Sequence, residues 1–438
     1  MRLKRLKRLI TYENKKEVYS WAMYDWANSA FATTIMAAVL PAYYSKVAAA
    51  TLDATTASSY WGYTNTIAML LMAFLAPILG AIGDYKRSKI KYLTGFVILG
   101  VFFTGMLYFI NQGDWLYASL FYIMGRFGFG SANIFYDSLL PHISNENNID
   151  RISTLGYSAG YLGGGILLAI NIGMILSPET FNIGDSAMGV KLSFLSVAVW
   201  WLIFSVPVLK NVQEPFKIGI NVQTSNSIKN AFQRLSETFR QVKKFRQAFL
   251  FLIAFWFYND GIGTIIVMAV IFGAEIGIGE EHLFGAILAV QFIGAPFTIL
   301  FGKLAEKITA KRAVYLGLIV YTLIAIGGYF MQTALHFWIL AVVVGMVQGG
   351  TQALSRSLFG LMTPKKKSAE FFGFFDVSQK FSGILGPALF GMVGQLTGSS
   401  RLSIIALVIF FVGGMFMLEK VRLAEGIAAA QSADKTIK

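Results

Sequence analysis

Apolar residues run along this chain in stretches long enough to cross a bilayer, each closed by a short polar break. A membrane helix needs roughly 18 or more predominantly apolar residues. On that rule the pattern predicts twelve spans, at 21–44, 59–83, 92–110, 115–141, 152–176, 190–209, 248–273, 283–305, 313–331, 334–361, 371–396 and 401–418. Six fall on each side of a polar middle. The chain thus divides into a basic segment 1–20, a first six-helix bundle 21–209, a linker 210–247, a second bundle 248–420 and a tail 421–438. Within the linker, Ile228, Phe232, Leu235, Phe239, Val242 and Phe245 recur at helical spacing, with Lys229, Arg234, Arg240, Lys243 and Lys244 between them. That pattern predicts an amphipathic helix lying on the membrane surface and tethering the halves.

Composition agrees: 55% of the 438 residues are hydrophobic and 14% charged, with a mean hydropathy of +0.59. No soluble domain needs such a balance. A net charge of +14 would suit nucleic acid, but its placement points to the membrane. Basic residues gather at the N-terminus, at Lys86–Lys91, from Lys210 to Arg246, at Lys303–Arg312 and at Lys365–Lys367, which are alternate loops. The opposite loops carry Asp53, Asp114, Glu179, Asp185, Glu275, Glu280 and Glu281. Cytoplasmic loops collect Lys and Arg, so both termini are expected in the cytoplasm of a multi-pass membrane protein, which in a bacterium would sit in the inner (plasma) membrane. A cleaved signal peptide at the start is disfavoured, because a signal core has no use for Asp25 and Asn28 and its loss would leave an odd number of spans.

Enzyme chemistry finds no support. There is no cysteine, which excludes disulfides, thiolate metal sites and a catalytic thiol. His142, His282 and His336 sit at span ends without metal-ligand spacing, and Gly163–Gly165 and Gly349–Gly350 lack the Lys-Ser/Thr of a phosphate-cradling loop. No cofactor or metal is expected. Without an ATP site, transport would draw on gradients.

Ionisable residues inside spans carry the functional signal, since each costs about 2.5–3.5 kcal/mol at mid-membrane on insertion scales. Arg126 lies eleven residues past Trp115, about 16 Å at 1.5 Å per residue. Asp260 and Lys380 reach similar depths in spans seven and eleven. Polar stripes follow on spans one (Tyr24, Asp25, Asn28), four (Arg126, Asn133, Asp137), seven (Tyr258, Asn259, Asp260) and ten (Gln348, Gln352, Ser355, Arg356), each confined to one helix face. Spans three, six, nine and twelve are almost wholly apolar. Duller accounts stand beside these. Asp376 and Lys380, at i and i+4, can neutralise each other. Asp25 can latch a helix end, and Asp137 lies near the basic face as a gate residue would. Arg126 and Asp260 are the leading candidates for contact with cargo or protons.

One motif occurs twice: Gly80-x-x-x-Asp84 followed by Lys86, Arg87, Lys89 and Lys91, then Gly302-x-x-x-Glu306 followed by Lys307, Lys311 and Arg312. Each copy closes the second span of its half, so the repeat is one of membrane topology, as in secondary transporters. It resembles the motif A loop of the major facilitator superfamily, although Tyr85 and Arg87 stand where a basic residue and a glycine are usual. The stretch Ser20–Ala30 (SWAMYDWANSA) resembles the signature of that superfamily's "unknown major facilitator" branch, which includes the fungal vacuolar amino-acid effluxers linked to autophagy. Tyr258–Gly261, Gly350–Ser357 and Glu370–Asp376, running on to Lys380 and Gly386-Pro387, are similar to the same branch.

The resemblance implies an all-α integral membrane protein with twelve transmembrane helices in two pseudo-symmetric bundles, a central cavity lined by spans one, four, seven and ten, and alternating access. It further implies that Asp84 and Glu306 latch the cytoplasmic side, and that the glycines of spans five and eleven let the bundles approach. A cavity offering Arg126 and Asp260 suits a zwitterion, hence an amino acid or similar metabolite, with proton coupling through Asp260 or Asp25 as a further expectation. A multidrug exporter of the same fold and a non-transporting sensor are the alternatives. The expected partners are a small solute, the bilayer and protons, with the protein a monomer that binds no nucleic acid.

Overall fold

The computed structural model describes residues 12–86, 88–215, 243–381, 383 and 385–436. The basic residues before position 12, Arg87, and the predicted amphipathic helix of the linker up to Val242 lie outside the described residues. Every regular element among those described is helical. In chain order they are α1 (Tyr12–Ala30), α2 (Val39–Tyr43), α3 (Ala54–Lys86), α4 (Lys89–Met106), α5 (Trp115–Ile143), α6 (Ile149–Leu176), α7 (Ser186–Asn211), α8 (Arg246–Glu275), α9 (Glu280–Ile308), α10 (Ala310–Tyr329), α11 (Ala334–Leu361), α12 (Ser368–Phe381), α13 (Leu385–Thr397), α14 (Ser400–Ala406), α15 (Val408–Glu419) and α16 (Leu423–Thr436).

Nine helices among the described residues are long and apolar enough to cross a membrane. The other three predicted spans are helical with local departures. Span one continues from α1 through π-helical turns at Phe31–Ala38 and Tyr44–Ala48, on either side of α2. Two sequence features account for the altered winding: Pro41 removes one N–H from the ladder, and the Thr33 hydroxyl takes the Ser29 carbonyl at 3.1 Å. Span four is α5, whose apolar character is diluted by Arg126 and Asp137. Span eleven is split into α12 and α13.

Each half builds its own apolar core. Trp21, Tyr24, Phe31, Phe135, Tyr136, Phe194 and Trp201 fill the first; Phe251, Phe255, Tyr258, Tyr321, Phe359, Phe375 and Phe411 fill the second. The halves meet along two seams of the same design. On one, α3 packs against α12; on the other, α6 packs against α9 and α11. Both repeated motif glycines sit in a seam. A Cβ on Gly80 would strike the carbonyl of Ala369, and one on Gly302 would fall 2.5 Å from Thr154 Oγ1. The glycine of the repeat is therefore a contact residue of the half-to-half interface, where only a missing side chain permits such approach.

Toward the face opposite the basic loops the halves separate. Among the described residues α3 packs extensively on α12 and at most weakly on α13, and α1 packs on α5, α6 and α7 and at most weakly on α8, so the tight packing between the halves lies toward the basic face. On that face α16 forms an ordered helix, where the tail was expected only as an extension. Asp434 accepts from the backbone N–H groups of Lys365 and Lys366 at 3.0 and 3.1 Å, Glu425 accepts from Gln247 at 2.7 Å, and the Gln431 amide reaches Glu146 of the first half.

Gly80→Val tests the seam. Overpacking costs about 1–3 kcal/mol, here only in the closed arrangement. The expected result is about a 5- to 150-fold shift toward opening of the basic face. Thiol labelling of a single cysteine placed at Thr154 would read it, the natural chain having no cysteine of its own.

Candidate functional site

The polar residues of the inner spans gather into three groups. The first is centred on Arg356 of α11, which is 2% exposed. Its Nη1 donates to Asp137 of α5 at 2.9 Å and its Nη2 to Asp25 of α1 at 3.2 Å. Its Nε donates to Ser153 Oγ of α6 at 2.9 Å, and Nη2 also reaches the Ser153 carbonyl at 3.0 Å. The Tyr136 hydroxyl donates to Asp25 at 2.8 Å. The rings of Trp21, Tyr136 and Tyr157 stand 4.8, 5.6 and 4.3 Å from the guanidinium carbon. One cation of the second half is thus enclosed by two carboxylates and three aromatic faces of the first. Gly156 makes the space: a Cβ there would lie 2.5 Å from Asp25 Oδ2 and 3.0 Å from Arg356 Nη2.

Beside it lies the repeat's first loop. Asp84 accepts from the Glu370 backbone N–H at 2.7 Å and pairs with Lys89 at 2.7 Å; the Lys89 ammonium also meets His142 and Ser368. A carboxylate on the first turn of α12 is favoured by the orphan N–H groups and positive dipole end there. The second copy differs, because Glu306 and Lys307 are exposed. At the equivalent seam it is Asp150 that accepts a hydrogen bond from across the interface, from Ser357. The expected two-sided latch is therefore built asymmetrically, with Glu306 too far into solvent to take part. The side chains of Lys86 and Lys380 lie outside the described residues.

The second group is a pair of amide ties one to two turns farther out. Asn28 donates to Asn133 at 2.7 Å, joining spans one and four. Gln352 donates to Asn259 at 2.6 Å and Tyr258 bonds Ser355 at 2.6 Å, joining spans seven and ten. The ties occupy equivalent places in the two halves. Tyr24 is fully buried against the Tyr136 ring, centroids 4.7 Å apart; Gln348 is half-buried and Asp376 buried.

The third group separates the two residues expected to face each other. Arg126 donates from Nη1 to Asn65 Oδ1 of α3 at 2.5 Å and to the Tyr122 hydroxyl at 2.9 Å. Asp260, 1% exposed, accepts from the backbone N–H groups of Leu385 and Gly386 at 3.2 and 2.8 Å. These are the first two residues of α13. No ion pair joins Arg126 and Asp260 among the described residues. Interrupting span eleven exposes a helix N-terminus inside the bundle, and a buried carboxylate is what satisfies one there. Asp260 is a cap first.

Comparison with known proteins fits this geometry. The family model described as "Vacuole effluxer Atg22 like" matches residues 50–431. The chain belongs to that family. It is 41% identical over 406 residues, 92% of this chain and 94% of the relative, to the "uncharacterized MFS-type transporter YxiO" of Bacillus subtilis (strain 168). It is 25% identical over 447 residues to autophagy-related protein 22 of Yarrowia lipolytica, covering 81% of this chain and 74% of that one. Among solved structures the E. coli fucose:proton symporter FucP aligns at TM-score 0.67 with 13% identity over 95% of this chain and 100% of that chain. The proton:xylose symporter XylE aligns at 0.66 with 12% identity over 96% and 98%. This Atg22-like chain is a major facilitator superfamily transporter with that superfamily's fold, an integral multi-pass membrane protein.

In this family member the residues of the sequence stripes fall into more than one polar group. Arg356 and Asp25 belong with Asp137 at the basic face, and Ser153, Tyr157, Asn65 and Tyr122 were not singled out. Tyr157 carried a usable signal, lying one residue past Gly156 in the glycine-rich span five. Ser153, Asn65 and Tyr122 are ordinary membrane-helix residues with none.

Removing the cap at Asp260 separates a structural role from a cargo role. Asp260→Ala strips both acceptors from α13 and is expected to cost about 1–3 kcal/mol, with Asp260→Asn losing less. Thermal unfolding of each purified variant without ligand measures it.

Proposed function

We propose that this protein moves a small solute, an amino acid or a similar metabolite, by alternating access, and that the Arg356–Asp25–Asp137 cluster is its cytoplasmic gate. In this reading there are twelve crossings, both termini lie inside, and the structure represents the state closed to the cytoplasm and open outward. The observation that carries the reading is the buried cation of one half held by two carboxylates of the other. Such a contact is well suited to switching: while made it is satisfied on every side, and removing one partner of a buried pair costs about 3–5 kcal/mol. Inside each half amide hydrogen bonds and ring stacks tie the first span to the fourth, so the halves can part without unfolding.

Proton coupling, if it operates, belongs to this gate. Asp25 and Asp137 share one guanidinium and are partly exposed, 14% and 18%, so protonating either weakens the closed state. Asp260 has both oxygens committed to α13 in the same state, which removes the reason for assigning it the proton. The name of the Atg22-like relatives favours export, and the polar, amide-rich stripes favour a hydrophilic solute over the lipophilic cations of a drug exporter.

Arg356→Ala is expected to open the cytoplasmic face and to lower transport at least tenfold, because loss of about 3–5 kcal/mol from one state leaves the other dominant. A cysteine at Ser153 in that variant should become reactive to an impermeant maleimide from the cytoplasmic side, while counterflow of radiolabelled amino acids in proteoliposomes falls. Unchanged labelling with full counterflow would remove the gate. A panel in which lipophilic cations exchange and amino acids do not would replace the substrate class.

A further inference from the structure

We infer that the solute docks by a carboxylate on the unused edge of the Arg126 guanidinium, and that a positively charged amine is not needed for recognition. The inference rests on the transport reading above and narrows its substrate.

The argument begins with direction. Arg126, Asn133 and Asp137 are spaced i, i+7 and i+11, which places them on one face of α5. Asp137 reaches across to Arg356 of the other half, so this face looks into the space between the halves. Arg126 lies eleven residues beyond Asp137, about 16 Å nearer the open side. It is half-buried, neither sealed in the core nor free in solvent.

Its partners are neutral and hold it in one orientation. Tyr122 donates to Asn65 Oδ1 at 2.9 Å, which fixes the amide as an acceptor and turns the tyrosine oxygen toward Arg126. Both hydrogen bonds of the guanidinium then leave from Nη1, and the Tyr122 ring lies 5.7 Å from its carbon. The Nη2 and Nε edge has no protein acceptor among the described residues, and no carboxylate there lies within ion-pair distance. A planar fork held from behind, with two parallel N–H groups presented forward, matches a carboxylate in bidentate geometry.

Arg356 shows what the same protein does with a guanidinium that needs no guest: two aspartates and a serine use all its nitrogens. At Arg126 the counter-ion has been left out. A guanidinium at this depth without one is costly, and an arriving anion restores the balance.

The opposite end of the solute meets a different environment. Asp260, the obvious partner for an ammonium, is occupied by the first N–H groups of α13. On the facing stripe Gln352 Oε1 is buried without a hydrogen-bond partner, a neutral acceptor equally suited to an N–H or an O–H. Recognition is therefore weighted toward the acid end. Charge-assisted hydrogen bonds outweigh neutral ones by an amount that corresponds to about a 10- to 100-fold difference in affinity.

The test uses the purified full-length protein and three ligand series, built on alanine, leucine and phenylalanine: the free amino acid, the 2-hydroxy acid and the amino-acid methyl ester. Affinities come from ligand-dependent melting. The expected order is amino acid and 2-hydroxy acid within about fivefold of each other, and the ester weaker by about tenfold or more. Arg126→Gln should abolish the preference for acid over ester, and Arg126→Lys, which keeps the charge but not the fork, should reduce it. An ester that binds as well as its acid, or a hydroxy acid that fails where the amino acid binds, overturns the inference and leaves the transport reading standing. Silence of every free acid overturns both. The ligand series on the unaltered protein decides the matter even where an Arg126 variant does not fold.

Discussion

A guanidinium removed from water must be met by charge and hydrogen bonds or it is not tolerated. Arg356 meets that demand only because the two halves of the chain come together around it. Its carboxylates sit on α1 and α5, its serine on α6 and its aromatic faces on all three helices, so the cluster is complete in one relative placement of the halves and incomplete in any other. The neighbouring contacts are arranged around this one. Gly156 is empty so that the ions can meet, Trp21 Nε1 is anchored to the Tyr136 carbonyl at 3.0 Å, and the Asp84–α12 cap closes the adjacent seam.

That dependence explains why the first-span signature has the composition it has. Trp21 stacks on Tyr136 at 4.5 Å and also faces Arg356; Asp25 pairs across the halves; Asn28 ties to span four. Spaced three or four apart, these residues form one helical stripe facing first the gate and then the amide tie. Spacing alone had picked out Asp25 and Asn28, with Tyr24, but not Trp21. Which partner each residue took was not legible, because partners such as Asn133 and Tyr136 come from a helix more than a hundred residues away and carry no charge.

The fold was more legible than the site for a physical reason. Membrane insertion imposes one hydropathy rule on every span, and the helices found over 59–84, 89–109 or 186–211 follow it directly. The rule fails where function intrudes. Span one winds partly as π-helix around Thr33 and Pro41, α5 carries Arg126 and Asp137, and span eleven breaks before Leu385. These stretches carry or support part of the polar groups, whereas α8 and α11, which hold Asp260 and Arg356, follow the rule all the same. Spacing placed Arg126 and Asp260 inside their spans but could not name their neighbours: Asn65 and Tyr122 hold the first, and the N-terminus of α13, hidden in an apolar run, holds the second.

The same accounting separates the contacts that move from those that stay. Within each half the first and fourth spans are joined by a neutral amide tie, Asn28–Asn133 in one and Asn259–Gln352 in the other, and aromatic packing such as Phe255–Phe375 at 4.4 Å reinforces them. Neutral hydrogen bonds contribute about 1 kcal/mol each and do not depend on protonation or on an incoming ion. Between the halves neutral contacts such as Ser153 to the Ala353 carbonyl are joined by charged ones, Arg356 with two aspartates and Asp84 at a helix end, and the charged ones respond to both. In the alternating-access reading proposed above, the cluster around Arg356, which draws its partners from both halves, is where the molecule would part, and the halves would rock as units.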